Sequence, residues 1–64
     1  MVYINGKEKD AGGQSIAQYL TENGFDSKRV AVDRNGDILP KSKYESTILH
    51  DGDQIEIVSF VGGG

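Results

Sequence analysis

The sequence predicts an α+β fold, a mixed sheet of about five strands packed on one main helix. Three observations predict it. Two Asn-Gly pairs each sit between extended runs, one capped segment has helical apolar spacing, and a closing run alternates apolar and polar residues.

Val2-Tyr3-Ile4 is rich in strand formers and ends at Asn5-Gly6. Asn and Gly both tolerate positive φ, so the pair predicts a type I′ hairpin turn, with residues 7–11 as a weak returning strand. Gly12-Gly13 interrupts the chain. Ser15 is then a good N-cap, and Gln18 three residues on completes a capping-box pattern. Ile16, Tyr19 and Leu20 share one helix face. Gly24 ends the helix, with Phe25 folding back onto it. After a loop over 26–29, Val30-Ala31-Val32-Asp33 reads as a strand whose valines share a face. Asn35-Gly36 repeats the hairpin signal and Asp37-Ile38-Leu39 returns. Pro40 lacks an N–H, so it ends that strand or lies on an edge. The polar stretch 41–49 is expected to form a short helical turn pinned by Tyr44, Ile48 and Leu49. Asp51-Gly52-Asp53 is a turn. Gln54 to Val61 forms the last strand, with Ile55, Ile57, Ser59 and Val61 on one face and Glu56, Val58 and Phe60 on the other. Its apolar content suits a central place in the sheet. The expected core is Val2, Ile4, Ile16, Tyr19, Leu20, Val30, Val32, Ile38, Leu49, Ile55 and Ile57.

At 64 residues the chain is one small domain. A domain of this size buries about 60% of its unfolded surface and has a net stability of about 3–9 kcal/mol. Such a core can hardly spare the hundreds of Å³ that small-molecule pockets occupy. This weighs against an independent enzyme. There is no cysteine, hence no disulfide and no thiolate metal site. A net charge of −3 argues against general nucleic-acid binding. With no signal-peptide pattern and no membrane-length apolar run, a cytoplasmic protein is expected.

The last strand runs directly into Gly62, Gly63 and Gly64, expected as a flexible reactive segment following a domain over 1–61. Three extended residues reach roughly 10 Å. Without side chains they can enter a slot that would reject any other sequence. Glycine loses much entropy when ordered, so such a segment suits ordering on a partner. A carboxylate is a poor acyl electrophile and must first be activated, for example as a mixed anhydride with AMP. Gly12-Gly13 is too short for a phosphate-cradling loop and lacks the following lysine and hydroxyl. The glycine end therefore reads as a substrate for an activating partner.

Ile4-Asn5-Gly6, Ala31-Val32, Ile38-Leu39-Pro40-Lys41, Asp51-Gly52-Asp53-Gln54-Ile55-Glu56-Ile57 and Val61-Gly62-Gly63-Gly64 occur in this order along essentially the whole chain. Together they resemble the ThiS-type sulfur carriers of thiamine biosynthesis, ubiquitin-like β-grasp proteins. The resemblance implies that Gly64 is adenylated by a ThiF-like adenylyltransferase that uses ATP and Mg²⁺. It is then converted to a thiocarboxylate, with sulfur from a donor such as a cysteine desulfurase. The thiocarboxylate supplies sulfur to a ThiG-like thiazole synthase. The carrier itself binds no cofactor and is a co-substrate, not a catalyst. Gly63 completes the Gly-Gly pair. Gly62 is one glycine beyond it, and Lys41 stands where arginine is more usual; neither alters the implied chemistry. Other readings are the small, sulfur-carrying subunit of molybdopterin synthase, a ubiquitin-like protein modifier, and a plain binding module. The chain length favours the thiamine carrier.

Val58 and Phe60 sit on the strand face opposite Ile55 and Ile57. A sheet covered by one helix leaves its other face open, so they are expected to dock the partner beside the reactive end. The competing reading is local cover by Tyr3 or by segment 41–49. His50, the single histidine, reads as a surface residue. Asp51 and Asp53 read as turn formers, since a calcium loop needs further ligands at set spacing.

Overall fold

The computed structural model describes residues 1–60. It contains five strands, β1 (Val2–Ile4), β2 (Lys7–Lys9), β3 (Val30–Arg34), β4 (Asp37–Leu39) and β5 (Gln54–Ser59), and one helix, α1 (Ile16–Glu22). Short 3₁₀ turns occupy Ser27–Arg29 and Lys41–Lys43. The sheet order is β2-β1-β5-β3-β4, with β1 and β5 parallel and every other neighbouring pair antiparallel. This is the ubiquitin-like β-grasp arrangement, with β5 central as its apolar content suggested.

Both Asn-Gly pairs make the expected turns. Asn5 and Asn35 lie at φ 51° and 53°, and Gly6 and Gly36 at φ 80° and 88°. Positive φ at both central positions is the I′ geometry, whose twist matches that of the flanking strands.

α1 is capped at both ends. The Ser15 hydroxyl accepts from the Gln18 N–H at 3.0 Å. The Gln18 side chain does not return the bond; its amide donates to Glu22 at 3.1 Å, so only half of the capping box forms. Two further N–H groups of the first turn, those of Ile16 and Ala17, donate to the carbonyls of Thr47 and Tyr44 at 2.9 Å each. Segment 44–47 thus satisfies the orphaned donors of the helix start. At the other end the Phe25 N–H reaches the Leu20 carbonyl at 2.9 Å and the Gly24 N–H reaches that of Thr21 at 3.3 Å. With Gly24 at φ 78°, this is a Schellman termination.

The core lies between α1 and one face of the sheet. It contains Val2, Ile4, Ala11, Ile16, Tyr19, Leu20, Val30, Val32, Tyr44, Leu49, Ile55 and Ile57, with Phe25 and Leu39 packed at its margin. Two expectations are corrected. Ile38, expected inside, is 84% exposed. The two-residue turn pairs Arg34 with Asp37, so Ile38 opposes the outward Asp33, while Leu39 opposes the inward Val32. Ile48, expected to help pin segment 41–49, is 39% exposed; Tyr44 and Leu49 do the pinning. Extents also differ at the margins. β2 stops at Lys9 instead of 11, and β5 is assigned to Ser59, with Val61 outside the described residues. Among the described residues no helix is long and apolar enough to cross a membrane.

Candidate functional site

Three elements converge on β5, the strand that leads to the glycine run, and each holds it by a different contact. At its start, Asp53 is nearly buried, with 7% of its surface exposed. Its carboxylate accepts from the His50 N–H at 3.0 Å, the Arg34 Nε at 3.2 Å and the Asn35 amide at 3.2 Å. Burial raises the pKa of this group. The His50 N–H, the Asn35 amide and the Arg34 guanidinium together outweigh burial, and the pKa lies below the ordinary aspartate value. Asp53 is therefore more than the turn former expected from sequence: it ties the β3–β4 turn to the beginning of β5. Asn35 closes the same junction, since its Oδ1 accepts from the Gln54 N–H at 2.9 Å.

Further along, β1 ends at Ile4 and the Asn5 side chain continues in its place. Asn5 Oδ1 accepts from the Ile57 N–H at 2.8 Å, and its Nδ2 donates to the Ile57 carbonyl at 3.2 Å. The third hold is β3, which pairs with β5 from Arg34 opposite Ile55 to Val30 opposite Ser59. One more hydrogen bond, from the Phe60 N–H to the Arg29 carbonyl at 2.8 Å, carries that register a step further.

Alternation along β5 then sets what faces outward. Ile55 and Ile57 are buried under α1, while Val58 and Phe60 are 56% and 58% exposed on the open side. Neither Tyr3 nor segment 41–49 covers them. The Tyr3 hydroxyl points toward Glu8 at 3.4 Å, and Tyr44 is buried in the core. Ala31 lies across from Val58, and Ile38 lies one strand beyond, diagonal to Ala31. Ile38, Ala31, Val58 and Phe60 thus form an apolar diagonal over three strands, with Asp33 and Glu56 paired beside it. Ile38 is the residue that sequence reasoning missed; counting the register from the Asn35-Gly36 turn would have found it.

His50 is exposed and joins this framework through its backbone alone. Asp51 is exposed as well. Among the described residues no three His, Cys, Asp or Glu side chains gather as metal ligands. Gly62, Gly63 and Gly64 lie outside the described residues.

The ThiS family model matches residues 2–64. The chain belongs to the ThiS family. It is 43% identical over 68 aligned positions to the sulfur carrier protein ThiS of Bacillus subtilis, with both chains covered in full. The crystal structure of the thiamine biosynthesis protein ThiS from Geobacter metallireducens superimposes with a TM-score of 0.76 at 27% identity, over 98% of this chain and 97% of that one. The thiazole synthase of Paramagnetospirillum magneticum is 47% identical over 62 residues; the match takes in 95% of this chain and 19% of that protein. In the thiazole synthase of Magnetococcus marinus the corresponding share is 20%. The chain thus spans about a fifth of the length of these two relatives. This ThiS-family domain shares the β-grasp fold of the Geobacter structure.

Proposed function

We propose that this protein is a sulfur carrier for thiazole formation in thiamine biosynthesis, with Gly64 as the residue that bears the sulfur. The observation that carries the reading is the family match, which runs through the whole glycine end. The exposed Val58 and Phe60, on the strand leading to that end, support it as the surface on which partners dock.

The chemistry follows from the carboxylate. An adenylyltransferase joins the Gly64 carboxylate to the α-phosphate of ATP and releases pyrophosphate, giving a mixed anhydride. Hydrosulfide attacks the acyl carbon, AMP leaves with the bonding pair, and after loss of the sulfur-borne proton a thiocarboxylate remains. ATP and Mg²⁺ belong to the activating enzyme. The thiocarboxylate sulfur is a far better nucleophile than the parent oxygen, and a thiazole synthase then takes it up. The carrier contributes positioning, not a catalytic group.

Intact-protein mass spectrometry tests the reading directly. The chain is incubated with a ThiF-like adenylyltransferase, ATP, Mg²⁺ and a sulfide source. The expected result is a mass gain equal to the exchange of one oxygen for sulfur, lost when Gly64 is deleted. No gain, under conditions that convert the Bacillus ThiS, would refute it.

A further inference from the structure

Backbone groups of β5 alternate between its two neighbours. Those of the even-numbered residues face β3: the Asn35 N–H donates to the Gln54 carbonyl and the Phe60 N–H to the Arg29 carbonyl, both at 2.8 Å. Those of the odd-numbered residues face β1: the Tyr3 N–H donates to the Asp53 carbonyl and the Asn5 N–H to the Ile55 carbonyl, both at 2.9 Å. The Asn5 side chain then serves Ile57. The next pair on that side belongs to Ser59, which is exposed. No hydrogen bond reaches it there among the described residues. Among the described residues β5 is therefore paired on both sides as far as Ile57 and on one side only from Val58 to Phe60.

Exposed strand edges invite pairing with another chain, and proteins guard them with charge or proline. The outer strands here are guarded. β2 is Lys7-Glu8-Lys9, and β4 begins with Asp37 and is followed by Pro40. The half-paired stretch Val58-Ser59-Phe60 has no such guard, and two of its side chains are the exposed apolar ones.

We propose that this end of β5 is a strand-addition site for a thiazole synthase. An extended segment of that enzyme pairs with the N–H and C=O of Ser59 on the side that β1 vacates, and its alternate apolar side chains cover Val58 and Phe60. The proposal rests on the sulfur-carrier reading. An extended backbone offers donor and acceptor at strand spacing and also carries alternate side chains along the same face. A second copy paired through the same edge, related by a two-fold axis normal to the sheet, would leave both copies' Val58 and Phe60 uncovered on one side. A larger partner both pairs the edge and covers the side chains. The Paramagnetospirillum and Magnetococcus thiazole synthases hold a segment similar to this domain in the same polypeptide as the remaining four-fifths of their length.

The test uses Ser59→Pro, which removes the one N–H within Val58-Ser59-Phe60 that is directed away from β3, with Ser59→Ala as control. Titration calorimetry against a purified thiazole synthase should show Ser59→Pro binding at least about tenfold more weakly, and Ser59→Ala within about twofold of the parent. Amide exchange of the parent protein gives a second readout should the proline variant not fold. The Ser59 amide should exchange fast alone and at least about tenfold more slowly in the complex. Unchanged affinity of folded Ser59→Pro would overturn the proposal. So would a Ser59 amide that stays fast while the Val58 and Phe60 resonances shift, which would mean docking on the face without strand addition. Protection of Ser59 that appears only with self-association would assign the edge to a second copy instead, and absence of any binding to the synthase would also sink it. The Gly64 conversion assay contains no thiazole synthase, so failure here is separable from failure of the carrier reading.

Discussion

Replacing Asp53 by Asn removes a charge and changes almost no volume, yet the structure places it among the costliest polar substitutions available. All three groups that contact the carboxylate are donors: the His50 N–H, Arg34 Nε and the Asn35 amide. An Asn side chain offers one acceptor and one donor. Its oxygen can stay with His50 and Arg34, but its NH₂ then faces the Asn35 NH₂. Asn35 cannot turn over, because its Oδ1 already accepts from the Gln54 N–H at 2.9 Å. One hydrogen bond is lost, worth about 1 kcal/mol, and two donors are left opposed in a nearly buried site, costing about 1–3 kcal/mol more. The bond to Arg34 also loses its charge assistance, a contribution reduced because that side chain is 35% exposed. The total is about 2–4 kcal/mol, against a domain stability of about 3–9 kcal/mol.

Urea unfolding followed by far-ultraviolet circular dichroism measures this loss. For a domain this small the slope is about 1 kcal/mol per molar urea, so the midpoint should fall by about 2 M or more. A fall below about 0.5 M would refute the reasoning, because the three donors would then be satisfied without the carboxylate. The pH dependence supplies a second check. The folded pKa of Asp53 is held below its ordinary 3.8. The carboxylate's contribution is therefore complete above the unfolded pKa and is lost as pH falls through the folded one. The gap between parent and Asp53→Asn should be widest at neutral pH and close in acid below that value.

Asn5→Gly keeps the positive φ but removes both side-chain bonds to Ile57, so stability should drop by about 1–2 kcal/mol, read from the urea midpoint; no change would mean that the bonds to Ile57 add nothing. Gly24→Ala puts a Cβ at φ 78° and should cost about 1–2 kcal/mol, seen as a lower thermal midpoint. Leu20→Ala empties the centre of the core, where Leu20 is 0% exposed; a loss of about 2–5 kcal/mol should lower the urea midpoint by about 2 M or more. Phe60→Asp lies on the open face and should change stability by no more than about 0.5 kcal/mol while slowing adenylation by the activating enzyme; a normal adenylation rate would remove Phe60 from the docking surface.

What the sequence made legible was mostly local. The Asn-Gly turns, the Ser15 cap and the Gly24 stop each follow from the conformational preference of one or two residues. Ile38 shows where local reading fails: two adjacent apolar residues on a three-residue strand cannot both face the core, and only the turn register decides between them. Ala11 and Tyr44 were missed as core because each lies in a polar neighbourhood and is buried by distant parts of the chain. The parallel pairing of Tyr3 with Gln54 joins nearly opposite ends of the sequence, and no local pattern encodes such a partner. The Asp53 junction was hidden for a related reason, since two of its three donors belong to Arg34 and Asn35 at the β3–β4 hairpin, 19 and 18 residues away. The apolar character of Val58 and Phe60 was readable from alternation alone, because β5 is long enough for its two faces to differ.

The way β5 is held explains how one strand can be both the centre of the core and, on the sulfur-carrier reading proposed above, the support of the glycine end. From Gln54 to Ile57 it has partners on both sides, and at its start a nearly buried carboxylate and a turn amide fix it in place. Among the described residues, Val58 to Phe60 are held from one side alone, by β3 and the Arg29 carbonyl just before it. Holding falls off in one direction, and exposed apolar surface begins where it falls. A strand that was fully paired to its last residue would leave an incoming protein no backbone to bind, whereas one released before Ile57 would open the core. Asn5 sets the boundary between the two regimes: its side chain completes the ladder for one further residue without extending the β1 backbone alongside Ser59.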